Sequence, residues 1–158
     1  MSFFTKNEIV EMAVNIEKQG YTFYDNALKR TDLDADQRDL ITLLRDEEKQ
    51  HEITFLELRN KLDNFELKRK TSWEDAKLYI QSMVDTHIFS DPEKAINLAA
   101  GAKDIKELIS FAIQFEKDTL LFFHAFRQNV EGKKAENSID VIINEEASHI
   151  RKLQNIEF

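Results

Sequence analysis

The sequence predicts an all-α protein, a bundle of four long helices with a helical crossover, and three observations lead there. The 158 residues include only three Gly and one Pro. Against the ~12% of an average chain, that leaves all-β and doubly wound folds without residues for their many turns. Capping side chains stand at the entry of the long apolar-patterned segments. Within those segments, apolar residues return at three-and-four spacing. With 42% apolar and 33% charged residues, the chain can both build and solvate a core. Its length fits a single domain over 1–158.

Thr5-Lys6-Asn7-Glu8 reads as a capping box, in which hydroxyl and carboxylate satisfy otherwise orphaned amides. It predicts a first helix over about 6–30, with Ile9, Val10, Ala13, Ile16, Gly20, Phe23, Tyr24, Ala27 and Leu28 inward. Asp34-Ala35-Asp36-Gln37 is a second box. It opens a helix over about 35–63, with Ile41, Leu44, Phe55, Leu58 and Leu62 on its stripe. Asp104-Ile105-Lys106-Glu107 opens a third over about 105–130, with Leu108, Ala112, Phe115, Phe122, Phe123 and Phe126 inward. After a turn at Gly132-Lys133, a fourth runs over about 135–156 through Ile139, Ile142, Ile150, Leu153 and Ile156.

Between the second and third helices lies a crossover of about forty residues, 64–104. It reads as two short helices, Trp73 to Val84 and Pro92 to Ala100, with Asp91 as N-cap and Pro92 at the first helical position. The other two connections are short, so each joins an antiparallel hairpin, while the crossover can run the length of the bundle. Trp73, Tyr79, Met83, Ile88 and Phe89 in the crossover either cap the bundle or offer contacts for a homodimer.

A net charge of −8 argues against nucleic acid and anionic membranes as partners. No apolar run approaches the ~20 residues of a membrane span. Met1-Ser2-Phe3-Phe4-Thr5-Lys6 turns polar too soon for a signal peptide, so a cytoplasmic location is the expectation. The absence of Cys excludes disulfides, thiolate metal sites and cysteine nucleophiles.

Each helix stripe is broken by acids and imidazoles that a core does not choose. They are Glu17 in the first helix, Glu48 and His51 in the second, Glu116 in the third, and Glu146 and His149 in the fourth. Spacing of i, i+3 sets each Glu and its His on one face. The expected helix midpoints fall near ~18, ~49, ~117 and ~146, so all four acids share one central layer. The chain also repeats itself. Ile16-Glu17-Lys18 through Phe23-Tyr24 parallels Phe115-Glu116-Lys117 through Phe122-Phe123. Asp46-Glu47-Glu48-Lys49-Gln50-His51 parallels Asn144-Glu145-Glu146-Ala147-Ser148-His149. Two such hairpins about a pseudo-twofold axis place two equivalent metal positions side by side.

Four ionised carboxylates in an apolar layer repel one another and cost several kcal/mol each; two divalent cations balance their charge. Oxygen and imidazole donors suit iron or manganese, with zinc as a further candidate. One Glu from each of two helices with Glu-x-x-His from each of the other two is the known ligand pattern of ferritin-like di-metal proteins.

On these motifs the sequence resembles the ferritin-like di-iron carboxylate superfamily, most closely its rubrerythrin-like branch. Glu17-Lys18-Gln19-Gly20-Tyr21-Thr22-Phe23-Tyr24 is similar to that branch's first-helix signature. The resemblance implies two metal ions, most simply iron, with Glu48 and Glu146 bridging, Glu17 and Glu116 terminal, and His51 and His149 each giving a nitrogen. It implies an oxidoreductase that oxidises Fe(II) with O2 or hydrogen peroxide and draws on an unidentified electron donor. The alternatives are iron sequestration or partner binding around a structural di-metal site, and a structural bundle holding zinc or no metal. In two respects the chain departs from rubrerythrin. The third helix there carries a second glutamate where Thr119 stands here, and no rubredoxin-type cysteine domain occurs in these residues. Both bear against the ligand shift by which rubrerythrin reduces peroxide, and the six-ligand set is closer to that of the bacterioferritin ferroxidase centre.

Three further residues carry two readings each. Tyr24 lies two turns after Glu17, where its hydroxyl either approaches the site as a catalytic group or is satisfied as a plain core tyrosine. His124 and His87 read as surface or structural histidines, against a direct role at the site.

Overall fold

The caps and stripes set where the helices form, and their neighbours decide where they end. In the computed structural model of the chain, the described residues are 6–61, 65–67 and 73–158. They form α1 (Lys6–Ala27), α2 (Ala35–Asn60), β1 (Glu66–Leu67), α3 (Trp73–Thr86), α4 (Pro92–Gly101), α5 (Ile105–Gln128), β2 (Val130–Glu131) and α6 (Lys133–Gln154). Thr5 of the first expected capping box and Leu62 lie outside the described residues, as does the side chain of Trp73.

The box at Asp34 is complete, its carboxylate accepting from Gln37 N–H at 2.8 Å and Gln37 Oε1 accepting from Asp34 N–H at 3.0 Å. Such a cap is worth about 1 kcal/mol. At Asp104 only half of such a box forms. Its carboxylate caps Glu107 N–H at 2.8 Å, but Glu107 reaches back to Lys103 N–H at 3.3 Å.

α1 stops at Ala27, three residues short of expectation, and the carbonyls just beyond it take side-chain donors from α2. Arg38 of α2 bonds Leu28 O at 2.7 Å and Arg30 O at 2.9 Å, replacing the partners that a helix end lacks. α5 ends early because Val130 and Glu131 leave it to pair antiparallel with Leu67 and Glu66. So short a strand pair follows from what lies beside it rather than from its own residues. Gly132, at φ 138°, turns the chain straight into α6, a conformation that only glycine adopts without strain.

α1 packs chiefly on α2, and α5 on α6, as two hairpins; α4 lies on α1 and α3 on α5. The crossover therefore contributes to the bundle's own core, with Ile80, Met83 and Phe89 buried, Ile88 partly so, and Tyr79 exposed. Phe89 stacks between Phe23 and Phe115, at ring-centre distances of 4.5 and 5.0 Å. Each such buried ring contributes about 1.5–3 kcal/mol. Ile150, expected inward, is only partly buried at the edge of α6. No helix among the described residues is long and apolar enough to cross a membrane.

Candidate metal centre

Midway along the bundle, Glu17, Glu48, Glu116 and Glu146 are all 0% exposed. α1 and α5 contribute one acid each; α2 and α6 contribute an acid and, one turn on, His51 and His149, which are also buried. These six fall into two overlapping groups, Glu17, Glu48, His51, Glu146 and Glu48, Glu116, Glu146, His149. In each group the ligand-type atoms lie within 4.8 Å of one another, close enough to hold a metal ion. Glu48 and Glu146 belong to both.

Gly20 makes the layer possible. A Cβ there would stand 2.4 Å from Phe115 Cζ and 3.2 Å from Glu48 Cδ. Only a bare Cα lets the Phe115 ring and the Glu48 carboxyl lie so close to α1. The glycine of the first-helix signature thus serves close packing rather than a turn.

Both imidazoles turn Nδ1 into the layer. His51 Nδ1 lies 2.8 Å from Glu146 Oε1 and 3.4 Å from Glu17 Oε2. His149 Nδ1 lies 3.0 Å from Glu146 Oε2, 3.2 Å from Glu116 Oε1 and 3.4 Å from Glu48 Oε1. Each Nε2 faces a carboxylate of the opposite hairpin, His51 with Glu145 at 2.5 Å and His149 with Glu47. The two rings lie nearly parallel, their centres 5.8 Å apart. Neither Glu47 nor Glu145 was among the expected site residues. The signal was present in the repeated Glu-Glu-x-x-His, whose first acid falls off the buried stripe and reads as solvated. Only the packing of α2 beside α6 turns it inward.

Tyr24 donates its hydroxyl to Glu116 Oε1 at 2.7 Å, so it reaches the layer and is satisfied there, in agreement with either of its two readings. Its counterpart in the repeat is Phe123, so the two halves differ here: Glu116 has a hydroxyl partner and Glu17 has none. His124 is exposed. His87 is buried and bonded to Thr119.

The electrostatics are those of a layer short of positive charge. Burial, reinforced by neighbouring acids, drives the carboxyls of Glu17, Glu48 and Glu116 well above the usual range. Burial also pushes Glu146 up, but hydrogen bonds with Glu116, His149 and His51 outweigh it and hold that carboxyl well below the usual range. For His51, burial favours the neutral ring, yet Glu146 and its neighbours prevail and raise the imidazole to about 9. His149 is raised in the same way. Burial raises the Tyr24 phenol, with Glu116 adding to it.

Most buried polar groups in proteins are hydrogen-bonded. Here Glu17 Oε1 and Oε2, Glu48 Oε1 and Oε2, Glu116 Oε2 and Glu146 Oε2 are buried with no hydrogen-bond partner. Six such carboxylate oxygens converging beside two imidazole nitrogens fit metal cations.

The rubrerythrin family model matches residues 8–157, nearly the whole chain. The chain belongs to the rubrerythrin family. Comparison with curated proteins and with solved structures gives no match. In this rubrerythrin-family chain the six residues expected as metal ligands meet in one layer, and the almost wholly helical architecture agrees with a ferritin-like bundle. Thr119, where rubrerythrin carries its second glutamate, is fully buried.

Proposed function

We propose that the layer holds two iron ions and that the protein is an oxidoreductase, oxidising Fe(II) at the expense of O2 or hydrogen peroxide. The observation that carries this reading is the sharing of Glu48 and Glu146 between both groups, with buried oxygens that bond to nothing else. Glu17 and His51 would complete one position, Glu116 and His149 the other. Bound there, two Fe(II) supply the two electrons that, with two protons, convert one hydrogen peroxide to two waters.

The protein's own groups hold the donor set and keep it dry. Tyr24 occupies Glu116 Oε1, which leaves Oε2 open to a cation. Glu145 and Glu47 accept from Nε2 of His51 and His149, fixing the ring tautomers so that Nδ1 presents its lone pair to the layer. Phe115, Phe122 and Phe123, all buried, line α5 on either side of Glu116. A layer this deeply buried suits a small oxidant. These 158 residues hold no Cys, so re-reduction calls on a donor outside them.

Elemental analysis of protein purified without added metal is expected to give two irons per chain. On rapid mixing of the Fe(II)-loaded protein with peroxide or O2, the iron oxidises within seconds. Oxidation no faster than in a Glu17→Ala, Glu48→Ala double variant overturns the redox reading. Two zinc ions and no iron point instead to a structural centre.

A further inference from the structure

One turn beyond Glu116 on the buried face of α5 stands Thr119, 0% exposed. The crossover sets a buried histidine against it. His87 Nε2 lies 3.1 Å from Thr119 Oγ1, and His87 Nδ1 accepts the Phe89 N–H at 3.1 Å. The second bond decides the direction of the first. A neutral imidazole carries one N–H. Because Nδ1 accepts, the hydrogen is on Nε2, and Nε2–H donates to the threonine oxygen. Burial keeps the ring neutral, drawing its pKa down to about 4 despite the opposing pull of Asp118.

Thr119 is therefore an acceptor toward His87 and still has its own hydroxyl hydrogen to place. A threonine inside a helix ordinarily bonds back to the carbonyl four residues earlier. Thr42, Thr54 and Thr86 do so here, onto Arg38 O, Gln50 O and Ser82 O, at 2.8, 3.1 and 2.7 Å. Thr119 makes no such bond to Phe115 O, and among the described residues its hydrogen has no acceptor. A buried donor left without a partner costs about 1–3 kcal/mol, so the site calls for a ligand atom.

The direction of that donor follows from helix geometry. Side chains tilt toward the helix N-terminus, so Thr119 leans back over the turn that carries Glu116. In the repeat, the position equivalent to Thr119 is Gly20, which has no side chain. The hydroxyl thus belongs to one half of the bundle only, the half in which Tyr24 already engages Glu116.

We propose that Thr119, oriented by His87, donates a hydrogen bond to a small oxygen-based or anionic ligand held in the layer beside Glu116. Thr119 is the residue that touches the ligand; His87 is a positioning residue, locking the hydroxyl so that it donates into the layer. This rests on the metal-centre reading above, and it deepens that reading by naming what selects and orients the small molecule.

Azide, a small anion whose binding to Fe(III) gives a charge-transfer band, is the probe. Titrated into the Fe(III)-loaded protein, it is expected to bind about tenfold or more weakly in Thr119→Val than in the wild type. Thr119→Ser, which restores the hydroxyl, should return to within about threefold of wild type. His87→Leu, which frees the hydroxyl to turn to Phe115 O, should fall toward the Val variant. Iron content stays the same in all four proteins.

A second readout needs no metal and no variant. Nitrogen-15 NMR of the metal-free protein should show His87 with its proton on Nε2 and Nδ1 bare. A proton on Nδ1 overturns the proposal, as does full iron uptake with equal azide affinity in wild type and Thr119→Val, or no azide binding to the iron-loaded wild type. Those results leave the metal centre standing. Failure of the wild type to take up any metal overturns the metal-centre reading and this proposal with it.

Discussion

His51 Nε2 meets Glu145 Oε2 at 2.5 Å, joining the histidine of one helical hairpin to an acid of the other. The pseudo-symmetric bond runs from His149 to Glu47. Each imidazole is thus oriented by the half of the bundle that does not carry it, and the two hairpins are tied together at the level of the central layer.

Removing one of these outer acids should loosen the ring it orients without deleting a ligand. Glu145→Ala, and independently Glu47→Ala, are expected to weaken metal binding about 10–100-fold. The helical content should be unchanged. Competition titration against a chelator measures it, and affinity equal to wild type would show that the cross-hairpin bonds do not govern the centre.

Metal removal should reverse the pH dependence of stability. In the metal-free protein, Glu17, Glu48 and Glu116 have raised pKa values. A raised folded pKa gives stability that is present in acid and lost as pH climbs. His51, raised from 6.5 to about 9, adds to the same trend across that window; Glu146, shifted down, is ionised in both states there and adds no slope. The metal-free protein is therefore expected to melt at a lower temperature at pH 8 than at pH 6. Metal binding needs deprotonated ligands, so the added stability of the loaded form grows over the same range. At a free-metal concentration a hundred times Kd, each site adds about 2.7 kcal/mol. Parallel melting curves with and without metal across pH decide it.

Gly20→Ala sets two effects against each other. Alanine gains about 1 kcal/mol in helix propensity, but its methyl would lie 2.4 and 2.8 Å from the Phe115 ring. That ring is fully buried and stacked on Phe89, so it cannot swing away. Overpacking costs about 1–3 kcal/mol and should win. Denaturant unfolding is expected to show a net loss, with weaker metal binding as Glu48 is displaced. A gain in stability would mean that Phe115 can rearrange.

His87 supplies a second, separable pH signature. Its pKa falls from 6.5 to about 4 on folding, burial being the cause. A lowered folded pKa contributes stability that is fully present above the unfolded value and fades as pH drops from 6.5 toward 4. The difference in unfolding free energy between wild type and His87→Gln should shrink by about 3 kcal/mol between pH 7 and pH 4. The carboxylate contributions are common to both proteins and cancel. A difference independent of pH would place the imidazole in contact with water.

The sequence by itself determined which segments are helices and which acids interrupt their stripes. Caps and three-and-four periodicity are local properties, and a charged residue on an apolar face is visible without coordinates. That is why Glu17, Glu48, His51, Glu116, Glu146 and His149 could be named from spacing alone. Only the tertiary structure decided what meets across helices. The turning of Glu47 and Glu145 onto opposite histidines, the bond from Tyr24 to Glu116, and the descent of His87 from the crossover onto Thr119 each join residues far apart in the chain. So does the pairing of Val130–Glu131 with Glu66–Leu67, which shortens α5. None of these leaves a periodic mark in the sequence, because a hydrogen bond between two elements depends on their relative placement, and that is set by the packing of the whole core.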